Sequence, residues 1–365
     1  MTSEAWRSID AGAMDAPVAF GRMPMLAASV VQGGPQVLMT GVFGAGHFQI
    51  GWFEDVDAVL DLDAARARNV QVFRRPVWGG GAAFYDTNAS ALLSFFIRDD
   101  AFDTLDAALE HFRPVMRCAL DDLDLKDVSF EGSSDVRWQG RKLGTLIAQS
   151  VLGTKVVGGF FNLRTPDLET YAAIARVPEE KFKDKIIKDQ VAYICTPADV
   201  RGTELRYEEF RDAIVAAARE AGMTLDAGSF TPDEDAGATG FAASVNSEDY
   251  VRRVSSARFR ARNPDAGFAN VKGKKLVRAG VALDGDVIVE AMVAGDMHLS
   301  PPDSVDRIAA ALIGASVADR AEVVRRVTAV LAEPDIDQPD FAAGITADDI
   351  ADAVIAAANA VPRAV

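Results

Sequence analysis

Residues 127–153 read DVSFEGSSDVRWQGRKLGTLIAQSVLG. Apolar residues alternate with polar ones on both sides of Gln139-Gly140, which predicts two antiparallel strands joined by a two-residue turn. The turn places Lys142 early on the returning strand, where the sheet and not a mobile loop would position its ammonium. A cation fixed in this way can stabilise negative charge on an anhydride as it forms and breaks. Taken alone, Lys142 also fits a solvated surface lysine. Asp135, seven residues upstream on the opposite arm, fits either a loop aspartate or a group that holds magnesium or orients a nucleotide.

On the N-terminal side, PQVLMTGVFGAGHFQIGWF (35–53) alternates short apolar runs with glycine and predicts strands, followed by a short helix near 56–67. Next comes VQVFRRPVWGGGAAFYD (70–86), with strand residues on either side of a basic, glycine-rich loop, and then the buried strand ALLSFFI. Residues 103–120 show helical spacing, with Pro114 expected to kink or divide the helix. Further helices are predicted over 167–176, 178–189 and 207–221, the last closed by Gly222.

On the C-terminal side, the composition of 224–247 shifts to Gly, Ala, Ser, Asp and Pro and marks a linker. KKLVRAGVALDGDVIVEAMVAGD (274–296) predicts a hairpin turning at Asp284-Gly285, and helices are expected over 302–314, 318–332 and 346–361. The chain thus divides into an α+β domain of catalytic size over 1–223, a linker over 224–247, and a small α+β domain with extra terminal helices over 248–365.

The 365 residues are 49% hydrophobic, enough for two cores, and carry a formal net charge of −16. That charge argues against nucleic acid as a partner, because counterion displacement needs a basic face. Any anionic ligand must then be held locally, which draws attention to Arg74-Arg75 and Arg141-Lys142. No run of about 18 apolar residues occurs, and MTSEAWRSID lacks the basic start of a secretory signal, so a cytoplasmic protein with no membrane partner is expected. Cys118 and Cys195 lie far apart without a CxxC or a neighbouring histidine, so they are read as core residues and not as a disulfide or zinc framework. Gly79-Gly80-Gly81, between Arg74-Arg75 and Asp86, fits a turn as readily as a ligand cradle.

Several stretches, in order, resemble one family. RRPVWGGGAAFYD resembles the Arg-Arg, Gly-Gly-Gly, Ala, His-Asp loop of lipoate-protein ligases, and GSSDVRWQGRKLG resembles their Asn-Asp and Gly-Arg/Lys-Lys motif. WRSIDAGAMDAP, HFQIGWFEDVDAVLDLDAAR and VVGGFFNLRTPDLETYAAI look like the family's first strand, the approach to the arginine-glycine loop, and the stretch after the lysine hairpin. KGKKLVRAGVALDGDVIVEAMVAGDMHLSPPDSVDRIAAALIG is similar to the accessory domain of these ligases. The resemblance spans roughly residues 5–315. It implies a mixed β-sheet catalytic domain of the biotin/lipoate ligase type, flanked by helices.

The resemblance also implies roles. Arg75, Gly79, Gly80 and Gly81 would line the path of the acyl group and its adenylate, with Tyr85, Asp86, Ser134, Gly144, Thr145, Gly158 and Gly159 at neighbouring motif positions. Lys142 would be the catalytic cation, and Asp135 would serve the nucleotide and its metal. ATP, Mg2+ and lipoate are the expected ligands. The expected acceptor is a lysine on the lipoyl domain of a 2-oxoacid dehydrogenase or on a glycine cleavage H-type protein. The pattern departs from the family at Tyr85 and Ser134, where histidine and asparagine stand, and at Val157-Gly158-Gly159, where the family has His-His-Gly. One extra residue separates Arg75 from the glycines, and Gly144-Thr145 has altered order. These departures bear on which acid is taken. Two alternatives stay open: an octanoyl- or lipoyl-transferase of the same fold, and a non-catalytic relative that binds an acyl group or a lipoyl domain.

Overall fold

The computed structural model describes residues 5–75, 81–131, 135–176, 192–273, 275–297, 299–336, 338 and 344–362. Along the chain the strands are β1 (Trp6–Met14), β2 (Val37–Phe43), β3 (His47–Ile50), β4 (Gln71–Arg74), β5 (Ala82–Tyr85), β6 (Ser90–Arg98), β7 (Ser129–Glu131), β8 (Asp135–Trp138), β9 (Arg141–Thr145), β10 (Ile147–Val151), β11 (Thr154–Asn162), β12 (Leu225–Gly228), β13 (Gly267–Lys272), β14 (Leu276–Asp284) and β15 (Val287–Gly295). Contacts cluster into two compact units. The first comprises Met1–His47, Phe84–Ala173 and Pro178–Ser244; the second comprises Phe48–Ala83, Ile174–Val177 and Val245–Val365.

The first unit is built on a sheet of order β12-β1-β2-β6-β11-β9-β8-β7, with β10 paired to β11. The β1 pairings to β12 and β2 are parallel, whereas β2-β6, β6-β11, β9-β11 and β8-β9 are antiparallel, so the sheet is mixed as expected. Helices Leu105–Asp122 and Tyr207–Glu220 bury Leu109, Phe112, Met116, Phe210 and Ile214 in one core with Leu93, Phe95 and Phe161 of the sheet. Pro114 lies inside the helix Leu105–Asp122 without dividing it. Both Pro114 and Glu110, whose carbonyl loses its donor, are exposed, so water can take the place of the missing amide.

Residues 224–247, expected as a linker, instead form β12, which adds to the sheet beside β1, and the helix Pro232–Val245. That helix approaches helix Ala16–Val31 so closely that a Cβ on Gly21 would lie 2.7 Å from the Ala238 carbonyl oxygen, and one on Gly237 would lie 2.2 Å from Met25 Sδ. The small residues that resemble linker composition are what permit this contact.

In the second unit β13-β14-β15 form an antiparallel sheet. Its core joins Val277, Val281, Ile288 and Val293 to the helices Ser304–Leu312, Arg320–Leu331 and Ala347–Asn359, with Phe53 included. The β14-β15 loop is Gly285-Asp286, one residue later than expected, because a register shift at Ala282/Leu283 brings Asp284 opposite Val287. The short sheet β4-β3-β5 carries the chain from the first unit into the second and back. The helix expected over 178–189 lies outside the described residues.

Candidate active site

The β8-β9 hairpin forms as its sequence predicts. Gln139 (φ 48°) and Gly140 (φ 76°) supply the two left-handed positions that match strand twist. Val136 and Leu143 are buried under the hairpin, which turns the alternate residues outward. A register shift between Val136 and Arg137 sets Arg137 opposite Lys142, two like charges that would repel. Asp135 resolves this conflict: its Oδ1 lies 2.8 Å from Lys142 Nζ, and its Oδ2 accepts from Arg137 Nη2 at 2.6 Å. Burial pushes the Asp135 carboxyl up, but the hydrogen bond and charge of Lys142, then those of Arg137, outweigh it and hold the group below the ordinary carboxylate value.

The backbone under Lys142 is equally fixed. Its carbonyl accepts from Cys195 N–H at 2.8 Å and from Asn162 Nδ2 at 3.2 Å, and Asn162 also donates to the Cys195 carbonyl at 3.0 Å. Arg141 pairs with Asp199 at 3.0 Å and donates through Nε to the Ile194 carbonyl at 2.9 Å. Asn162 escaped sequence reasoning, and Cys195 was read only as a core residue, because both reach Lys142 from distant parts of the chain.

Cys195 is fully buried, as expected, and burial pushes its thiol up to about 11, so thiolate is scarce at neutral pH. Cys118 is only partly buried, against expectation; desolvation, and then Glu220, whose carboxylate lies 3.4 Å from its Sγ, raise its pKa.

Gly144, Gly158 and Gly159 serve packing. A Cβ on Gly158 would lie 2.2 Å from the Leu93 carbonyl oxygen, one on Gly159 would lie 1.9 Å from that of Thr145, and one on Gly144 would lie 2.6 Å from that of Phe160. Backbone therefore occupies the space on the open side of each. Thr145 Oγ1 accepts from Phe160 N–H at 3.2 Å. Phe160 in turn meets Tyr85 at 4.9 Å between ring centroids, and Tyr85 stacks on His47 at 5.5 Å with the planes 18° apart. Phe43 closes this group, 4.5 Å from His47.

His47 is wholly buried, and burial draws its pKa down to about 4, so the ring is neutral; one ring nitrogen lies 3.1 Å from the Ala45 carbonyl oxygen. Asp86 is spent on the loop, where Oδ1 accepts from Thr87 N–H and Oδ2 from Asp167 N–H.

Arg75 and Gly81 belong to the second unit. The neighbouring Arg74, at the end of β4, is fully buried, as is Phe73 before it. Its guanidinium donates to the carbonyls of Gly51 (2.7 Å), Trp52 (3.0 Å), Glu54 (2.8 Å), Tyr250 (3.2 Å) and Val251 (2.7 Å). Desolvation draws its pKa down to about 10, so it remains a cation at neutral pH. Gly81 adopts φ 71°, its N–H donates to Glu54 Oε2 at 3.0 Å, and its carbonyl accepts from Gly51 N–H at 2.8 Å. Gly79, Gly80 and Ser134 lie outside the described residues.

Asp135 does not fit a protein-held magnesium site as arranged, since both its oxygens already face cations. Among the described residues no group of three or more His, Cys, Asp or Glu side chains gathers as a metal centre, and no helix is long and apolar enough to cross a membrane.

Residues 24–219 match the family described as the lipoyl protein ligase A/B catalytic domain. Lipoate-protein ligase A subunit 1 of Thermoplasma acidophilum is 26% identical over 173 residues, which are 46% of this chain and 64% of that protein; the chain thus spans less than two thirds of that relative's length. Among solved structures, the bi-partite lipoate protein ligase of Thermoplasma acidophilum, studied with its E2 lipoyl domain, shares the fold with a TM-score of 0.55 at 19% identity, over 68% of this chain and 96% of its own. A lipoate-protein ligase A bound with ATP gives 0.54 at 16% identity, over 68% and 98%. LipL1 of P. falciparum, in complex with lipoate, gives 0.65 at 9% identity, over 92% and 96%. With its mixed sheet, its lysine hairpin and more than half its length matched by the family model, the chain belongs to the lipoyl protein ligase A/B family.

Proposed function

We propose that this protein is an ATP-dependent lipoate-protein ligase, and the observation that carries the reading is Lys142 held by Asp135 on the β8-β9 hairpin. A lysine whose carbonyl and ammonium are both fixed is preorganised to meet charge that develops during reaction, with little reorganisation. In the proposed reaction the acid's carboxylate attacks the α-phosphorus of ATP and pyrophosphate leaves. The acceptor lysine's amine then attacks the acyl carbonyl and displaces AMP. Lys142 faces the acyl-phosphate junction in both steps, while Asp135 positions it. Magnesium enters with the nucleotide's phosphates, whose charge it offsets, and no step requires Asp135 to hold it. ATP and lipoate as ligands, and a lipoyl domain as acceptor, are supported by what the similar structures are described as binding.

The buried, up-shifted thiol of Cys195 beside Lys142 favours this reading over a transferase, which needs an accessible thiolate there. The bi-partite relative motivates a second reading, in which this chain supplies one part of a two-part ligase.

Intact mass of a lipoyl-domain acceptor, after incubation with this protein, Mg-ATP and lipoate, tests the proposal. A gain of one lipoyl group that depends on ATP and is lost in Lys142→Ala establishes it. Pyrophosphate release with a different acid keeps the chemistry and changes the substrate. Neither signal, in the presence of the acceptor, rejects the chain as a self-sufficient ligase.

A further inference from the structure

Residues 252–262, RRVSSARFRAR, hold five of the chain's 38 basic residues, in a protein of net charge −16. Four of the five converge: Arg252, Arg253, Arg258 and Arg262 line one cavity of about 240 Å3 in the second unit. Phe259 of the helix Ser256–Arg262, Val293 of β15 and Val305 of the helix Ser304–Leu312 give it apolar walls. Among the described residues that line it, Asp306 is the one carboxylate.

Carboxylates that do not line the cavity hold three of these guanidinium groups in place. Asp57 accepts from Arg252 Nη1 at 2.7 Å, Asp249 from Arg258 Nη2 at 2.8 Å and Glu290 from Arg262 Nη2 at 2.6 Å. A guanidinium carries five N–H donors, so each pairing leaves donors over. Arg253 is held differently. Its Nη2 donates to Asp306, and its guanidinium carbon stands 4.5 Å from the centroid of the Trp52 ring. Its Nη1 is closed off from solvent and meets no acceptor among the described residues. A cationic donor buried without an acceptor has lost its hydration uncompensated, and in the wall of a cavity it points to a ligand oxygen.

We propose that this cavity binds a small phosphate monoester, with Arg253 and Arg258 as its anchors. Several guanidinium forks around one space suit a dianion with three acceptor oxygens better than a single carboxylate. The apolar walls suit a short hydrocarbon or aromatic body beside the phosphate. The volume lies below the about 300–1,000 Å3 of pockets that hold drug-sized ligands, so the ligand is small. The site goes beyond the ligase reading and does not depend on it, since none of the four arginines has a part in the proposed reaction.

Isothermal titration of the full-length protein with phenyl phosphate, at low ionic strength where charge pairing is least screened, tests the site. Wild type should bind the probe saturably, and Lys142→Ala should bind it equally well. Arg258→Ala should weaken binding about tenfold. The Arg258 side chain is 41% exposed, so the fold should survive the change, and an unchanged melting midpoint checks this. Arg253→Lys keeps the charge and loses the fork, and should weaken binding about fivefold or more. Inorganic phosphate should compete with phenyl phosphate. Benzoate, with the same ring and a single carboxylate, should bind about tenfold more weakly.

No saturable binding in wild type overturns the proposal, as does binding that is unchanged in both Arg258→Ala and Arg253→Lys. Binding lost in Lys142→Ala and kept in both arginine variants places the phosphate at the β8-β9 hairpin and overturns it equally. Benzoate bound as tightly as phenyl phosphate overturns the assignment of the ligand as a phosphate.

Discussion

Lys142 Nζ and Asp135 Oδ1 stand 2.8 Å apart across a register shift that places Arg137 directly opposite the lysine. The carboxylate therefore bridges two facing cations and aims one of them. Lys142→Ala should lower acyl-adenylate formation about a hundredfold, the usual consequence of removing one preorganised charge stabiliser. Asp135→Asn should cost less, since Lys142 survives but loses its guide. Pyrophosphate-exchange rates for the two variants check this order, and equal losses would mean that Asp135 itself contacts the reacting groups.

The same pair carries a pH signature. The folded Asp135 carboxyl lies below its unfolded value, so its contribution to stability is full above the unfolded value and is lost as pH falls through the folded one. Urea midpoints of wild type and Asp135→Asn should differ near neutrality and converge as pH drops below about 4. A difference that stays constant down to acid pH would show that the pairing contributes little to folding.

His47 also costs stability on acidification, but over a higher pH window. It titrates near 6.5 when unfolded and at about 4 when folded, so acidification through this window protonates the unfolded chain first and destabilises the fold. At pH 4.5 this amounts to about 2.5 kcal/mol of lost stability relative to pH 7. His47→Asn should remove most of that acid loss, as measured by denaturation at both values. An equal acid loss in the variant would place the sensitive group elsewhere.

Two glycines in the expected site should respond differently to alanine. At Gly81 nothing lies within 4 Å of a would-be Cβ, so only the positive φ resists, at about 1 kcal/mol. At Gly158 a Cβ would lie 2.2 Å from the Leu93 carbonyl oxygen in the middle of the sheet, so strands must part, at about 3 kcal/mol or more. Thermal melting of Gly81→Ala and Gly158→Ala distinguishes backbone strain from steric exclusion. A mild effect at Gly158 would point to slack between β6 and β11.

Neither thiol should be needed. Cys195 is wholly buried with its pKa up near 11, and that of Cys118 is raised beside Glu220. The double variant Cys118→Ser, Cys195→Ser should keep ATP-dependent transfer within a few fold, although Cys195→Ser places a hydroxyl in the core. Native protein should resist alkylation at Cys195. Thioester formation on Cys195, seen by mass, would restore the transferase reading.

The features legible in the sequence are those with a local signature. Gln139-Gly140 announces its hairpin because the turn demands positive φ, and the strand β6 and the helix Leu105–Asp122 follow from periodicity. The helix Pro232–Val245 was hidden because Gly237 and Ala238, chosen for close packing on helix Ala16–Val31, have the composition of a linker. The partners of the site are equally silent in sequence. Glu54 reaches Gly81 across 27 residues and Arg278 across 224, and no window of sequence contains such a contact. Gly158 and Gly159 sit at motif positions, yet the space beside them is filled by backbone, a fact only the strand register reveals.

The division of the chain bears directly on truncation. Arg74, buried in the second unit, donates to carbonyls of Tyr250 and Val251 as well as to those of Gly51, Trp52 and Glu54. Asp57 likewise pairs with Arg252 at 2.7 Å, and Asp55 accepts from Ser256 N–H at 2.9 Å. Ending the chain at residue 247 strips these partners and leaves a guanidinium short of acceptors in an apolar setting, a loss of about 3 kcal/mol or more. Residues 48–75 should then lose protection from proteolysis while β1, β2 and β6 keep theirs. Loss of activity in such a truncation would report this collapse. If residues 48–75 were as protected in the 1–247 chain as in the full protein, the segment would fold without its C-terminal partners, and the catalytic part would end near residue 223.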